Sequence, residues 1–166
     1  MYIRYFPDVF NFLYGLCGNS DISEELTQDT FVAAYRSLHK YNGKYYLFGS
    51  FKSETHTRAS QILQADGPLG PFKPISDKPT TPEEWQCLDG TFYVENGKPY
   101  MVFCHEWTQI KNGDIWAVKM ARDLSRPVEE PFMLFRASDN PNVSEIKGTG
   151  SGKYITDGPF LFTEDG

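Results

Sequence analysis

A near-repeat of roughly fifty-five residues constrains this chain more than any other feature, because periods of that size mark repeat architectures. "YNGKYYLF" from Tyr41 to Phe48 returns as "ENGKPYMVF" from Glu95 to Phe103, with the turn glycines Gly43 and Gly97 54 positions apart. A second marker steps with the first: Asp66 in "SQILQADGPLGPFKPIS" and Asp123 in "IWAVKMARDLSRPVEEPFMLF" are 57 positions apart. Each unit reads as a strand, an Asn-Gly turn that favours type I′ geometry, a returning strand, and two further strands joined through a Pro-rich loop. Such a four-stranded antiparallel meander cannot cover both of its own faces, and radial stacking of copies does so. The expected fold is all-β, a β-propeller of four-stranded antiparallel blades.

The copies also place boundaries. Residues 38–84 and 85–140 form one blade each, and "YITDGPFLFTEDG" opens a third unit within residues 141–166, with Tyr154 to Phe162 as its inner strand and Asp165-Gly166 as its next turn. Residues 1–37 are an irregular first-blade remnant, in which "VFNFLYG" reads as a returning strand and "NSDISEELTQDT" as a polar stretch with Glu24 and Glu25 on a solvated surface. About two full blades plus partial ones leave a propeller incomplete and its strand edges open. The expectation is therefore a single partial domain, a fragment of a longer protein, with self-association through exposed edges.

Composition narrows the partners. The net charge is −6 and the 16 Lys and Arg residues are scattered, which excludes the basic footprint of a nucleic-acid binder. Aromatic residues at 16%, with 11 Pro and 14 Gly, suit strands and turns. Three cysteines do not make a disulfide framework; Cys87 and Cys104 fall on adjacent strands but off register for a bridge. Pro7 and Asp8 interrupt the apolar opening "MYIRYFPDVFNFLYGLC" and no small-residue cleavage site follows, so the chain as given shows no signal peptide. No apolar run approaches the roughly 20 residues that cross a bilayer. A soluble protein without a membrane partner is expected, cytoplasmic or secreted.

The hairpin "WQCLDGTFYVENGKPYMVFCHEW" gathers its charge at the open end. A two-residue loop at Asn96-Gly97 sets Glu95 opposite Lys98, and an unbroken register then puts Asp89 opposite Cys104, Leu88 opposite His105 and Cys87 opposite Glu106. Asp89 lies 8 residues before Gly97, and Asp157 lies 9 before Gly166. Near-equivalent positions in consecutive units project both carboxylates into the same mouth of the central channel. The first unit carries Tyr35 there, beside Arg36, and no acid. Asp at a strand start is often only a turn residue; paired in this way, the two can do acid and base work. Trp107 and Trp116 can stack on sugar rings or serve as packing. No second His stands at a ligand spacing from His105, so no metal or other cofactor is expected. A carbohydrate-binding propeller without catalysis, and a propeller used for protein contacts, are the competing readings.

"LHKYNGKYYLFGSF", "QADGPLGPFKPISD", "CLDGTFYVENGKPYMVFCHEW" and "YITDGPFLF" together resemble glycoside hydrolase family 43 over roughly residues 38–162. The resemblance implies a five-bladed propeller that hydrolyses α-L-arabinofuranosyl or β-D-xylosyl linkages of oligo- or polysaccharides with inversion. It implies that Asp89 tunes and orients the general acid. It also implies that Asp157, where the family usually has Glu before Gly-Pro, is the candidate acid, with Glu106 as the alternative. His105 and Trp107 become substrate-binding candidates. The family's Arg-Asp-Pro base is replaced by "IRYFPDVF", leaving Asp8 as a weak match, and its Trp-Ala-Pro-Glu by "FVAAYRS". A central calcium ion is implied for the complete propeller.

Overall fold

The computed structural model describes residues 2–36, 38–52, 57–146, 152–159 and 161. Two antiparallel meanders form its centre. Strands β1 (Leu38–Tyr41), β2 (Lys44–Phe51), β3 (Ala59–Ala65) and β4 (Lys73–Pro74) make the first sheet in chain order. Strands β5 (Cys87–Glu95), β6 (Lys98–His105), β7 (Asp114–Lys119) and β8 (Phe132–Arg136) make the second, also in chain order. The Asn-Gly turns set both inner hairpins: Asn42 and Gly43 have φ of 48° and 77°, Asn96 and Gly97 51° and 72°. These left-handed angles match the twist of the flanking strands, and Asn and Gly are the residues that adopt them at least cost.

The sheets stack face to face, as blades do. Tyr46, Phe48 and Ile62 of the first sheet form one buried cluster with Cys87, Met101, Phe103 and Val118 of the second. Alternate residues of the second sheet, Val102, Cys104, Ile115 and Ala117, form a cluster on its other face, against which Leu161 of the third unit packs. Strand β6 is covered on both sides, so Met101 to His105 are all buried without the alternation of a half-exposed strand. Burial of Phe103 or Met101 alone contributes about 1.5–3 kcal/mol. Phe92 of β5 joins the inner hairpins, its ring centroid 5.1 Å from Tyr41 and 5.6 Å from His39. The molecule is thus mostly β and has the architecture of a partial propeller.

Two segments depart from the sequence reading. The expected returning strand "VFNFLYG" is part of helix α1 (Tyr2–Cys17), and the polar stretch after it forms helix α2 (Ser20–Arg36), which packs on α1. The aromatic rings of Phe6, Phe10 and Tyr14 recur every four residues and stack at 5.9 and 6.0 Å, the spacing of one helix face. The Asn19 side chain accepts a hydrogen bond from the Ile22 N–H and starts α2. Glu24 and Glu25 are exposed on α2. In the third unit, Tyr154 makes an isolated parallel bridge to Asn112, and residues 155–159 and 161 form no strand. There the backbone pairs with the loop before β7: the Gly113 N–H donates to the Tyr154 carbonyl, and the Tyr154 N–H to that of Lys111. The expected turn at Asp165-Gly166 lies outside the described residues. No helix among the described residues is long and apolar enough to cross a membrane.

Candidate active site

The site is built where β5 begins. Thr91 to Glu95 pair with Val102 to Lys98 as the turn dictates, but Leu88 pairs with Cys104 and Cys87 with His105, one position off the unbroken register. The expected facing of Asp89 with Cys104, Leu88 with His105 and Cys87 with Glu106 is therefore corrected by a β-bulge. Two residues, Asp89 and Gly90, stand against the single Phe103. A bulge re-aims side chains and is frequent next to active sites. Here it puts Asp89 at φ 55°, in the left-handed region where a non-glycine residue is strained. Packing favours glycine at position 90: a Cβ there would lie 2.3 Å from Met101 Cε and 3.2 Å from Ser60 Cβ, so buried neighbours would have to shift. The Ser50 hydroxyl, at the end of β2, accepts the Asp89 N–H at 2.8 Å and ties the bulge to the first sheet.

Asp157 comes to the same place from the third unit. A Cβ on the adjoining Gly158 would lie 3.2 Å from Asp89 Cβ and 3.4 Å from its Oδ2. The chain reaches this position because Thr156 docks on β6, its Oγ1 2.8 Å from Cys104 Sγ. Glu106 follows β6, its N–H donating to the Gln86 carbonyl at 2.8 Å. Its carboxylate is only 12% exposed and accepts from Arg58 Nη1 at 3.0 Å. Loss of water around Asp89 raises its carboxyl above the ordinary value; the negative charges of Asp157 and then Glu106 push it further, while Arg58 pulls it down. Asp89, Asp157, Glu106 and Arg58 therefore share one electrostatic site at the open end of the hairpin.

The other sequence candidates are placed differently. His105 is 7% exposed and stacks on Trp85 at 4.4 Å with the rings nearly parallel. Its Nε2 lies 2.8 Å from Gln109 Oε1 and its Nδ1 3.7 Å from Asp114 Oδ1. Gln109 Oε1 also accepts the Gln86 N–H while its Nε2 donates to the Glu84 carbonyl, so the amide orientation is fixed and His105 Nε2 is the donor. His105 thus lies beneath the site rather than in its opening. Trp116 is part of the same interior cluster, 4.8 Å from Trp85, its Nε1 donating to Asp114. Trp107 opens the short helix α3 (Trp107–Ile110), and the Lys153 ammonium stands 5.9 Å over its ring. Cys87 and Cys104 are free buried thiols, pushed by burial up to about 12 and about 11. Asp8 is exposed on α1 and is not among the charges acting on Asp89.

Among the described residues, no three His, Cys, Asp or Glu side chains are arranged to hold a metal ion. Arg58, Ser50 and Gly90 are the members of the site that the sequence reading missed. The register of β2 and β3, which pairs Phe51 with Ala59, brings Ser50 and Arg58 to the same end of the sheets as Asp89.

Comparison with known proteins bears on this arrangement. The family model for glycosyl hydrolases family 43 matches residues 26–166. Among solved structures, an endo-arabinase from Bacteroides thetaiotaomicron VPI-5482 is 40% identical with a TM-score of 0.71, over 77% of this chain and 45% of that one. A thermostable family-43 glycoside hydrolase is 22% identical with a TM-score of 0.54, over 60% of this chain and 33% of its own. An endo-1,4-β-xylanase, also from B. thetaiotaomicron VPI-5482, is 21% identical with a TM-score of 0.53, over 78% and 40%. The last two likenesses are of fold alone. The chain spans less than half the length of each of the three. A search of curated proteins found no match. Asp8 precedes the matched segment, whereas Asp89, Glu106 and Asp157 lie within it.

Proposed function

The chain belongs to glycosyl hydrolase family 43, and from that premise we propose that the protein hydrolyses α-L-arabinofuranosyl linkages of arabinan-type polysaccharides or oligosaccharides with inversion at the anomeric carbon. The observation that carries this reading is the meeting of Asp89 and Asp157, from consecutive units, at one end of the stacked sheets. The 40% identity to an endo-arabinase favours arabinose over xylose as the sugar.

Inverting hydrolysis needs an acid that protonates the leaving oxygen and a base that activates water on the opposite face of the ring, about 6.5–9.5 Å away. In this reading the donor is Asp157 or Glu106. Asp89, which adjoins Asp157 and is itself raised by loss of water, has the place of the residue that orients the donor. Trp107, half-buried and next to Glu106 in the chain, is the aromatic candidate to stack on a sugar ring. The base acts from the opposite face of the ring; Asp8, exposed on α1 and ahead of the matched segment, is only a weak match to the family's Arg-Asp-Pro base.

Incubation of the full-length protein with arabinan, xylan and the matching aryl glycosides tests the proposal. Sugar release from arabinan, with the inverted anomer first in the NMR spectrum, is the expected result. If no sugar is released while arabinan still shifts the tryptophan fluorescence, the protein is a carbohydrate-binding propeller instead.

A further inference from the structure

The geometry points to a role for a residue outside every motif in the sequence: we propose that Arg58 and Glu106 form a standing ion pair whose two opposed charges set the pH range of the Asp89–Asp157 site, with Glu106 a positioning residue and not the proton donor. This rests on the glycosidase reading above.

The pair is a built feature. Arg58 enters at the start of β3, where its carbonyl accepts the Cys87 N–H at 2.8 Å, and so it is fixed to the first residue of β5. Glu106 is fixed on the other side of β5 by its N–H to Gln86. The 3.0 Å contact between their side chains therefore bridges the two sheets beside Asp89. Glu106 is almost enclosed, whereas Asp89 and Asp157 are exposed. A carboxylate accepting from a guanidinium is engaged as an acceptor, and a proton donor must instead offer an O–H to the glycosidic oxygen. Asp157, open and adjoining Asp89, is left as the donor.

The groups facing Asp89 come from each neighbouring element. They are Arg58 from the start of β3, the Ser50 hydroxyl from β2, the Cys104 thiol of β6, Glu106 after β6 and Asp157 from the third unit. Arg58 and Glu106 act on Asp89 with opposite sign, Arg58 lowering its carboxyl and Glu106 raising it. Removal of one or the other should therefore shift the Asp89 titration in opposite directions.

The test uses R58Q, E106Q, the double variant and R58K in the full-length protein, with kcat/KM for an aryl α-L-arabinofuranoside followed against pH. R58Q should move the profile about one pH unit to the alkaline side, E106Q about one unit to the acid side, and the double variant back to near the wild-type position. R58K should keep the wild-type profile. Shifts of the two single variants in the same direction overturn the proposal. So does an E106Q enzyme inactive on arabinan but restored on a dinitrophenyl glycoside, whose leaving group needs no proton, since that marks Glu106 as the donor. Thermal melts of the same variants read the pair without activity. The second substitution should cost less once the first is made, and additive losses overturn the ion pair. Wild-type protein that hydrolyses nothing overturns the glycosidase reading, while the melts still report on the pair.

Discussion

The inner hairpins of the two sheets have the same turn and different open ends. In the β1–β2 hairpin, Leu38 to Tyr41 pair with Leu47 to Lys44 without interruption from the Asn42-Gly43 turn. In the β5–β6 hairpin the same turn chemistry starts the same register, and a bulge breaks it eight residues from Gly97, at the acid. The comparison teaches that the repeat supplies the scaffold and the departure from it supplies the site. The shared Asn-Gly turns minimise local strain. The bulge spends some of that stability on a left-handed Asp89 and on the crowding of Gly90 against Met101.

The largest expected effect tests the departure directly. Asp89→Asn should lower hydrolysis by about 10²-fold or more. It should leave the melting temperature unchanged or higher, because Asn accepts the left-handed angle and brings no charge beside Asp157. A variant that melts lower and keeps its activity would make Asp89 a structural residue and erase the contrast between the hairpins.

Glycine substitutions come next in size. Gly90→Ala should cost about 1–3 kcal/mol in a denaturant melt, because the new methyl meets Met101 Cε inside the core. Gly43→Ala and Gly97→Ala have nothing within 4 Å of the added carbon and should each cost about 1 kcal/mol, from the positive φ alone. Equal costs at the two turns would confirm their equivalence. A Gly90→Ala cost no greater than theirs would mean that the bulge is not held by packing.

The smallest effect is on stability against pH, and it has opposite signs for the carboxylates at the open end of the second sheet and for the loop acid of the first. Asp89 and Asp114 are raised, chiefly by burial. Their contribution to stability is complete below the unfolded carboxyl value near 3.8 and is lost as pH rises through the higher folded values. Asp66 in the first sheet is held low by its hydrogen bond to Lys44, so its contribution is present above 3.8 and lost as pH falls. Asp89→Asn should flatten the first slope, and Lys44→Gln should remove the second. Melts between pH 3 and 7 that respond to neither variant would show that these groups do not set the pH dependence of stability.

The parts of the fold that could be read in advance are those governed by neighbours in the chain. The Asn-Gly turns, the order of strands in each meander and the pairing of Thr91 to Glu95 with Val102 to Lys98 follow from turn geometry and the two-residue period. The helical spacing of Phe6, Phe10 and Tyr14 was equally present in the sequence, but a short apolar run can be read with either period, and the strand reading was the wrong one. Asp89 and Asp157 were legible together because the repeat counted them to one end, and Glu106 because the hairpin returns its strand to that end. Arg58 was not, since no motif surrounds it and its partner lies 48 residues away.

By itself, then, the sequence determined the repeat length, the turns and the end of the later units at which acids collect, because these depend on backbone preferences a few residues long. Only the tertiary structure decided the bulge that turns Asp89, the docking of Thr156 that brings Asp157 beside it, and the pairing of Glu106 with Arg58. Each of those depends on how one sheet stacks on the next, and stacking is set by side-chain volumes from distant parts of the chain, such as Met101 against Gly90 and Ser60, that no local pattern encodes.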